Sequence, residues 1–412
     1  MPRLAVSLFL TAGYCFAALG GLYTQVSSLG SFSVSSPVVY LSSYIPCVAE
    51  AGLSWGILTV TPANIAQLIP QKHTSAKQAL SALLAYRGSS ISRAANCQPD
   101  PLNATFNSKV LARMHSDRRS FLPLLSDKGT VRIFAEAVNL SVAEAFYVGQ
   151  CDNLPKVSEL PRSFVAKATH AAGCVLIVEN SLVKVHIACE RMFHRHFSTF
   201  TGAQITNEML ASSCHEWLRQ MYRHSLTEWA YSQLTPTIII EELLRGVEDG
   251  HVSEATVVQP TFQSTAGGAS IADDFKCFAF DGVTRYIQHV HSRFGSKRDT
   301  YYDRGGRNVN VTLKHSASAP PWDPSVFTRF PGLLAGLIAR CDYAARGLDF
   351  VRVDFLFAGG EQPGSKSPGS KSPPAYRLLL GEMTFYPGAG KHKWVPSSFD
   401  QELGRWWCPR MQ

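Results

Sequence analysis

The chain lacks the marks of several common function classes. It has no Cys-x-x-Cys pair and no zinc spacing, so its ten cysteines do not read as a metal cluster. It has no basic helix and no aromatic RNA-binding motif. Its net charge of +8 is spread along the chain, so nucleic acid is not the expected partner. There is no Asp-x-Asp motif of the kind that holds the metal of a nucleotide sugar. No serine or cysteine stands in the context of an activated nucleophile. Charge is also missing locally. No charged residue lies between Arg3 and Glu50, and no lysine precedes Lys72.

That uncharged stretch begins with a basic residue and an apolar run from Leu4 to Tyr23. A basic start followed by about 20 apolar residues reads as a signal peptide or an uncleaved signal anchor. Ala18-Leu19-Gly20 offers small residues for cleavage, yet the run is long enough to span, and the anchor is the favoured reading. Three sequons agree with a secretory route: Asn103-Ala104-Thr105, Asn139-Leu140-Ser141 and Asn310-Val311-Thr312. In an oxidising lumen some of Cys47, Cys97, Cys151, Cys189, Cys214, Cys341 and Cys408 can pair. Cys174 and Cys277 fall inside expected strands and read as small buried hydrophobes.

With 412 residues, 45% hydrophobic and 17% charged, the chain is long and apolar enough for two or three lobes around a large core. Residues 24–105 are rich in Ser, Ala, Pro and Gly and read as a stem, with one helix expected over Ser75–Tyr86. From there the pattern tightens. Short helices are expected over Ser108–Met114, Asp117–Leu125 and Lys128–Ala137. Ser163–Thr169 and Gly173–Val178 read as a strand pair, and Asn207–His224 as an amphipathic helix. Thr237–Leu244 is a buried strand, and residues 246–271 have the composition of a loop. Phe275–Phe280 and Thr284–Val290 form a hairpin around Asp281-Gly282. Pro331–Ala345 is a helix. Strands over 350–357 and 376–385 flank a low-complexity tract, 359–375, with a tandem Gly-Ser-Lys-Ser-Pro at the hairpin tip.

The chemistry concentrates in those strands. Asp354 in Phe350-Val351-Arg352-Val353-Asp354-Phe355 and Glu382 in Leu378-Leu379-Leu380-Gly381-Glu382 are acids inside apolar runs. Burying either requires a cation or donors. On adjacent strands they make a hard-oxygen site suited to Mg²⁺, which takes one or two carboxylates and leaves room for phosphates. Lys167 sits on a strand before the small-residue turn Ala171-Ala172-Gly173, where an ammonium and backbone amides can meet phosphate. Glu241-Glu242 lies at the exit of a buried strand. Asp274 and Lys276 share a strand face, and Arg293, Lys297 and Arg298 follow as a cationic loop.

Taken in order, these motifs resemble the ATP-grasp fold, in which two α+β subdomains close on ATP and metal ions. The detail is similar to one branch, the teichuronopeptide-biosynthesis (TupA-like) type. The resemblance is carried by Leu160-Pro161 with Phe164-Val165-Ala166-Lys167 and His170, by Glu228-Trp229-Ala230-Tyr231, and by Ile240-Glu241-Glu242-Leu243-Leu244. It continues through Asp274-Phe275-Lys276-Cys277-Phe278 to Asp281-Gly282, Ser292-Arg293-Phe294 and Tyr301-Tyr302-Asp303. It ends with Arg352-Val353-Asp354-Phe355 and Gly381-Glu382-Met383-Thr384-Phe385-Tyr386-Pro387-Gly388. The domain so implied runs over 106–407. Where the family has a glycine-rich turn, this chain has Ala171-Ala172-Gly173.

The resemblance implies roles. Lys167, with His170 and Gly173, would hold the α- and β-phosphates of ATP. Glu241 and the Glu242–Leu244 backbone would bind adenine, and Asp274 would bind the ribose or act as a catalytic base. Lys276, Arg293, Arg298 and Arg352 would serve the γ-phosphate and an acyl phosphate. Asp354, Glu382 and Thr384 would hold Mg²⁺, with Mn²⁺ as a substitute. The implied reaction joins a carboxylate to an amine with ADP and phosphate as products, in cell-surface polysaccharide building. Its partners would be a carboxylate-bearing sugar or peptide and an amine donor. Trp229, Tyr231, Trp322 and Trp394 are candidate acceptor contacts. The implied location is the secretory pathway, anchored by residues 4–23 in a Golgi- or ER-type lumen, or secreted after cleavage. Two other classes stay open: a sugar-transferring enzyme of glycan assembly, and a binding protein that keeps the frame without turnover.

Overall fold

The computed structural model describes residues 81, 104–189, 200–219, 228–247, 271–291, 297–314, 326–360 and 376–408. All of them belong to one compact unit, Pro62–Gln412. The apolar run 4–23, nearly all of the stem, Asn103, Cys15, Cys47, Cys97, most of 246–271, Arg293, Trp322 and the tract 361–375 lie outside the described residues. Among the described residues no helix is long and apolar enough to cross a membrane.

The fold is mixed α+β with two five-stranded antiparallel sheets. Three short helices come first: α1 (Phe106–Ser116), α2 (Phe121–Ser126) and α3 (Val131–Ala137). The Thr105 side chain caps α1 by accepting from the Ser108 amide at 3.2 Å. The first sheet follows, built from β1 (Ala145–Gly149), β2 (Phe164–Ala168), β3 (Cys174–Glu179), β4 (Leu182–Ala188) and β5 (Ile238–Glu242) in the order β1-β5-β2-β3-β4. α4 (Asn207–Arg219) and α5 (Trp229–Ser232) lie between β4 and β5.

Alternation gives this sheet two different faces. Phe164, Ala166, Leu176 and Ile240 pack with Leu210 and Trp217 of α4 in one core. Val165, Val175, Ile177, Val185 and Ile187 form a second, smaller apolar face. Lys167 is two residues from Val165 and shares that second face.

The second sheet contains β6 (Asp273–Phe280), β7 (Val283–His291), β8 (Arg298–Asp303), β10 (Phe350–Gly359) and β11 (Tyr376–Thr384), in the order β11-β10-β6-β7-β8. β9 (Thr312–Leu313) pairs instead with β12 (Trp394–Val395). The β6–β7 hairpin turns on Asp281 (φ 49°) and Gly282 (φ 77°), the left-handed pair that a two-residue hairpin requires. The remaining helices are α6 (Val326–Arg329), α7 (Leu333–Ala345) and α8 (Ser398–Trp406). On the back of the sheet lie Phe275, Val353, Phe355 and Phe357, with Cys277 bonded to Cys341 of α7.

The front of the sheet is divided along the strands. At one end Phe278, Phe280 and Phe350 gather around Phe106 of α1, with Trp394 and Trp407 completing the cluster. At the other end the same faces of β6 and β10 turn polar, with Lys276, Asp274, Arg352 and Asp354. A buried ion network secures α1 to the start of β10. Arg113 donates to Asp349 at 2.6 Å and to the Phe350 carbonyl at 2.9 Å. Arg119 bridges Asp117 and Asp349.

Three cysteine pairs change the expectation for this residue type. Cys151–Cys214, Cys174–Cys189 and Cys277–Cys341 are disulfides, and Cys408 is disulfide-bonded as well. Cys174 and Cys277, read from sequence as plain buried hydrophobes, therefore serve as cross-links. Strand burial and disulfide bonding leave the same local pattern in a sequence. Arg298 is also corrected: it opens β8 and is not in a loop. The sequon asparagines Asn139 and Asn310 are exposed.

Two outcomes are expected from this packing. Phe106→Ala removes the ring at the centre of the aromatic cluster and should cost about 3–5 kcal/mol in urea denaturation. Glu228 is buried, and burial raises its carboxyl from 4.5 to about 8 against the pull of Lys391. The folded state then holds a proton that the unfolded chain releases near its ordinary value. Stability is full at pH 4.5 and below and is lost as pH rises toward 8. Glu228→Gln should flatten that decline and stabilise the protein by roughly 2–4 kcal/mol at pH 8.5, read by thermal denaturation across pH.

Candidate functional site

The small apolar face of the first sheet and the polar end of the second enclose a cleft of about 190 Å³. The first sheet contributes Lys167, Gly173, Glu241, Glu242 and Leu244, and the second contributes Asp274, Asp354 and Glu382. Eight of the fourteen residues expected at the site from sequence therefore line one cavity. Lys276, Arg352 and Thr384 adjoin it through Asp354 and Glu382.

The two acids share a face because of one irregularity. Asp354 pairs with Glu382, but the next residue, Phe355, pairs with Leu380. Gly381 is the extra residue of a bulge. Leu378 pairs with Phe357 and Leu380 with Phe355, all on the apolar back. Unbroken alternation would put Glu382 on that same back face. The bulge brings it to the front beside Asp354.

Asp354 is buried and held by two cations. Lys276 Nζ donates to its Oδ2 at 2.5 Å, and Arg352 donates to both oxygens at 2.7 Å. Burial raises the Asp354 carboxyl above its ordinary value, while Arg352 and Lys276 pull it down. Its charge thus depends on those neighbours. Burial works against the Arg352 charge, but Asp354 and Glu382 outweigh it and hold the guanidinium above its usual range.

Arg352 Nη2 also marks a point where hard oxygens converge. It lies 2.7 Å from Asp354 Oδ2, 3.0 Å from Glu382 Oε1 and 3.1 Å from Thr384 Oγ1. Two carboxylates and a hydroxyl around one cationic position are a donor set that fits Mg²⁺, provided the guanidinium moves aside.

Across the cleft Lys167 Nζ donates to Glu241 Oε1 at 2.5 Å, and Arg132 holds the other oxygen at 3.2 Å. Burial lowers the Arg132 guanidinium, opposed by Glu241 and Glu242. Lys128 Nζ donates to the Ala171 carbonyl at 2.8 Å and lies 3.9 Å from Glu382. The turn after β2 has a left-handed residue only at Gly173 (φ 77°), so Ala171 and Ala172 meet no backbone conflict. The Glu242 amide donates to Glu144 O at 2.9 Å, and the Leu244 carbonyl accepts from Ala272 N at 3.1 Å.

Two expected site residues, His170 and Arg298, stand apart, and a third, Arg293, lies outside the described residues. His170 is buried and does not line the cleft. Arg298 pairs with His291, two residues from His289, which pairs with Phe275. That register assigns Arg298 to the back of the sheet, away from Asp354, so it does not join the cleft. Sequence reading missed Lys128 and Arg132. The signal available for Lys128 was the turn Asp127-Lys128-Gly129-Thr130, where Asp127 accepts from the amides of both Gly129 and Thr130 at 2.8 Å. Many surface turns share that pattern.

Residues 263–407 match the TupA-like ATPgrasp family model. The TupA-like stretch takes in the whole second sheet with Asp274, Lys276, Asp354 and Glu382, while Lys167 and Glu241 precede it. Among curated proteins no match is found. Among solved structures, similarity extends to the D-alanine–D-alanine ligase of Helicobacter pylori, at 9% identity and a TM-score of 0.33, covering 75% of this chain and 69% of that one. It extends to the D-alanine–D-alanine ligase of Bacillus anthracis complexed with ATP, at 11% identity and a TM-score of 0.31, covering 82% and 91%. The ATP-grasp ligase PsnB complexed with a minimal precursor is similar at 9% identity and a TM-score of 0.26, covering 68% and 54%.

Lys276→Met should leave Asp354 with one cation in a buried setting. A loss of about 3–5 kcal/mol is expected in urea denaturation. Part of that loss should be recovered at acidic pH, where the acid takes up a proton.

Proposed function

We propose that the protein is an ATP-dependent, ADP-forming ligase that joins a carboxylate to an amine in the building of cell-surface polysaccharide or glycoconjugate. In this reading the two sheets are the ATP-grasp subdomains, and residues 4–23 place the enzyme in a secretory membrane. The observation that carries the proposal is the meeting of Lys167 and Glu241 from one sheet with Asp274, Asp354 and Glu382 from the other in a single cleft. The TupA-like match over residues 263–407 supports the same assignment.

Each residue has a task that follows from its present contacts. Lys167 leaves Glu241 for the α- and β-phosphates, and Arg132 keeps Glu241 compensated when it does. The amides of the turn at Gly173 approach the same phosphates. Asp274 accepts from ribose hydroxyls. Asp354, Glu382 and Thr384 would hold Mg²⁺ in the place now taken by the Arg352 guanidinium, which turns toward the phosphoryl group. The ion, when bound, offsets phosphate charge. Lys276, and Arg352 once it has turned, supply positive charge where negative charge spreads in the transition state.

The substrate carboxylate oxygen attacks the γ-phosphorus, and the bond from that phosphorus to the β-bridging oxygen breaks, so ADP leaves with the electron pair. The amine then attacks the acyl carbon. The carbon–oxygen bond to phosphate breaks, and the amine proton departs with the phosphate. No protein nucleophile takes part, in keeping with a cleft lined by charges and apolar side chains.

Thermal denaturation of the full chain with and without Mg·ATP tests this reading. Saturating nucleotide, at a hundred times its Kd, should stabilise the wild type by about 2.7 kcal/mol. That gain should vanish in Glu382→Gln and in Asp354→Asn. A folded wild type whose denaturation is unmoved by Mg·ATP would refute the ligase assignment. If binding holds, phosphate release with pairs of uronic acids and amino acids identifies the substrates.

A further inference from the structure

The back of the second sheet carries a constellation outside the cleft and outside the ligase chemistry. Asp273 is the first residue of β6, and His289 and His291 are on the last turn of β7's pleat. Asp274 pairs with Val290 and Phe275 with His289, so the register carries Asp273 opposite His291. The two histidines are two residues apart and share a face. Their ring nitrogens, His289 Nε2 and His291 Nδ1, each lie 2.9 Å from the same oxygen, Asp273 Oδ2. All three prospective donor atoms fall within 4.8 Å of one another.

We propose that Asp273, His289 and His291 form a binding site for a divalent transition metal of the zinc type. The donor chemistry selects the class. Imidazole nitrogens favour zinc and its neighbours over magnesium, so this site and the all-oxygen site at Asp354 and Glu382 take different ions. The geometry is close to what such an ion needs. Bonds of about 2.0–2.2 Å to nitrogen and oxygen put tetrahedral donors roughly 3.3–3.5 Å apart, so each nitrogen draws back from Asp273 by a fraction of an ångström and the two nitrogens, within 4.8 Å of one another, settle to the same spacing.

The surroundings suit a metal as well. His289 is fully buried, and its ring stacks on Phe275 with centroids 4.4 Å apart and planes at 23°, which fixes its aim. Asp273 and His291 are partly exposed, at 15% and 22% of their side chains, which gives an ion a route in and leaves a fourth position for water. A metal there would tie the first residue of β6 to the last residues of β7. Asp274, the next residue along, faces the cleft. The inference does not depend on the ligase reading.

The test uses full-length protein stripped with a chelator, then titrated with Co²⁺ followed by visible absorption and with Zn²⁺ followed by calorimetry. One equivalent of Co²⁺ should give d–d bands of a nitrogen- and oxygen-ligated site, and Zn²⁺ should displace it. His291→Gln, at a partly exposed position, should weaken Zn²⁺ binding by at least 10–100-fold. Asp273→Asn should do the same, and Glu382→Gln should leave it unchanged. Absence of a one-equivalent Co²⁺ spectrum in folded wild type would overturn the proposal, leaving a hydrogen-bonded cluster only. So would equal Zn²⁺ affinity in wild type and both back-face variants. Loss of binding in Glu382→Gln alone would overturn it too, by moving the ion to the cleft.

Discussion

Side-chain alternation along β11 fails at one residue, and the cleft depends on that failure. A strand offers every second residue to each face, so with Leu378 and Leu380 on the back it has no means of holding a carboxylate on the front at residue 382. The bulge at Gly381 resolves the conflict by one step of register. The leucines stay in the core, and Glu382 comes out beside Asp354. The rest of the arrangement is assembled on this shared face. Arg352 and Thr384 pair across the strands, and Lys276 reaches in from β6.

The second sheet divides labour along the length of its strands as well as between faces. One end of the front is an aromatic core around Phe106, secured by the buried Arg113–Asp349 contact. The other end is an ionic array. The same two strands, β6 and β10, run through both, so the charged residues are mounted on strands anchored in that aromatic core. The back of β6 is held in addition by Cys277–Cys341, one residue from Lys276. Precise placement of charge is what electrostatic catalysis requires, because dipoles and charges fixed in advance cost no reorganisation.

Much of this was legible in the sequence, for identifiable reasons. Asp354 and Glu382 stood out because an acid within an apolar run is costly without a partner. Strands β2, β3, β5, β6, β7, β10 and β11 were legible as apolar runs bounded by turn residues, whereas β1, β4, β8 and α8 were not read from the sequence. The Asp281-Gly282 hairpin was legible because few residue pairs accept two left-handed conformations. What was not legible depends on relations across the chain. Cys174 and Cys277 look like any buried cysteine until a partner is in place. Lys128 and Arg132 occupy ordinary local settings and matter only because the cleft closes over them. The face taken by Arg298 is decided by the β7–β8 register, which the sequence between the strands does not reveal. Asp273 and the His-x-His of β7 meet by hairpin register at a separation that no linear metal motif covers.

The ion pairs of the cleft have a consequence for how a ligand arrives. Lys128, Arg132, Lys167, Lys276, Arg352 and Arg377 are matched there by Glu241, Glu242, Asp274, Asp354 and Glu382. Viewed from beyond a Debye length, about 8 Å in physiological salt, these opposite charges largely cancel. A polyanion approaching the opening feels little pull until it touches. In the proposed ligase, capture proceeds by exchange of counter-ions at contact, each phosphate oxygen taking a cation from a carboxylate that must find another. Such a cleft acts less as an electrostatic funnel than as an ion exchanger. Its entry rate depends little on ionic strength, and its selectivity lies in whether the incoming molecule brings a cation of its own to leave with the displaced acids.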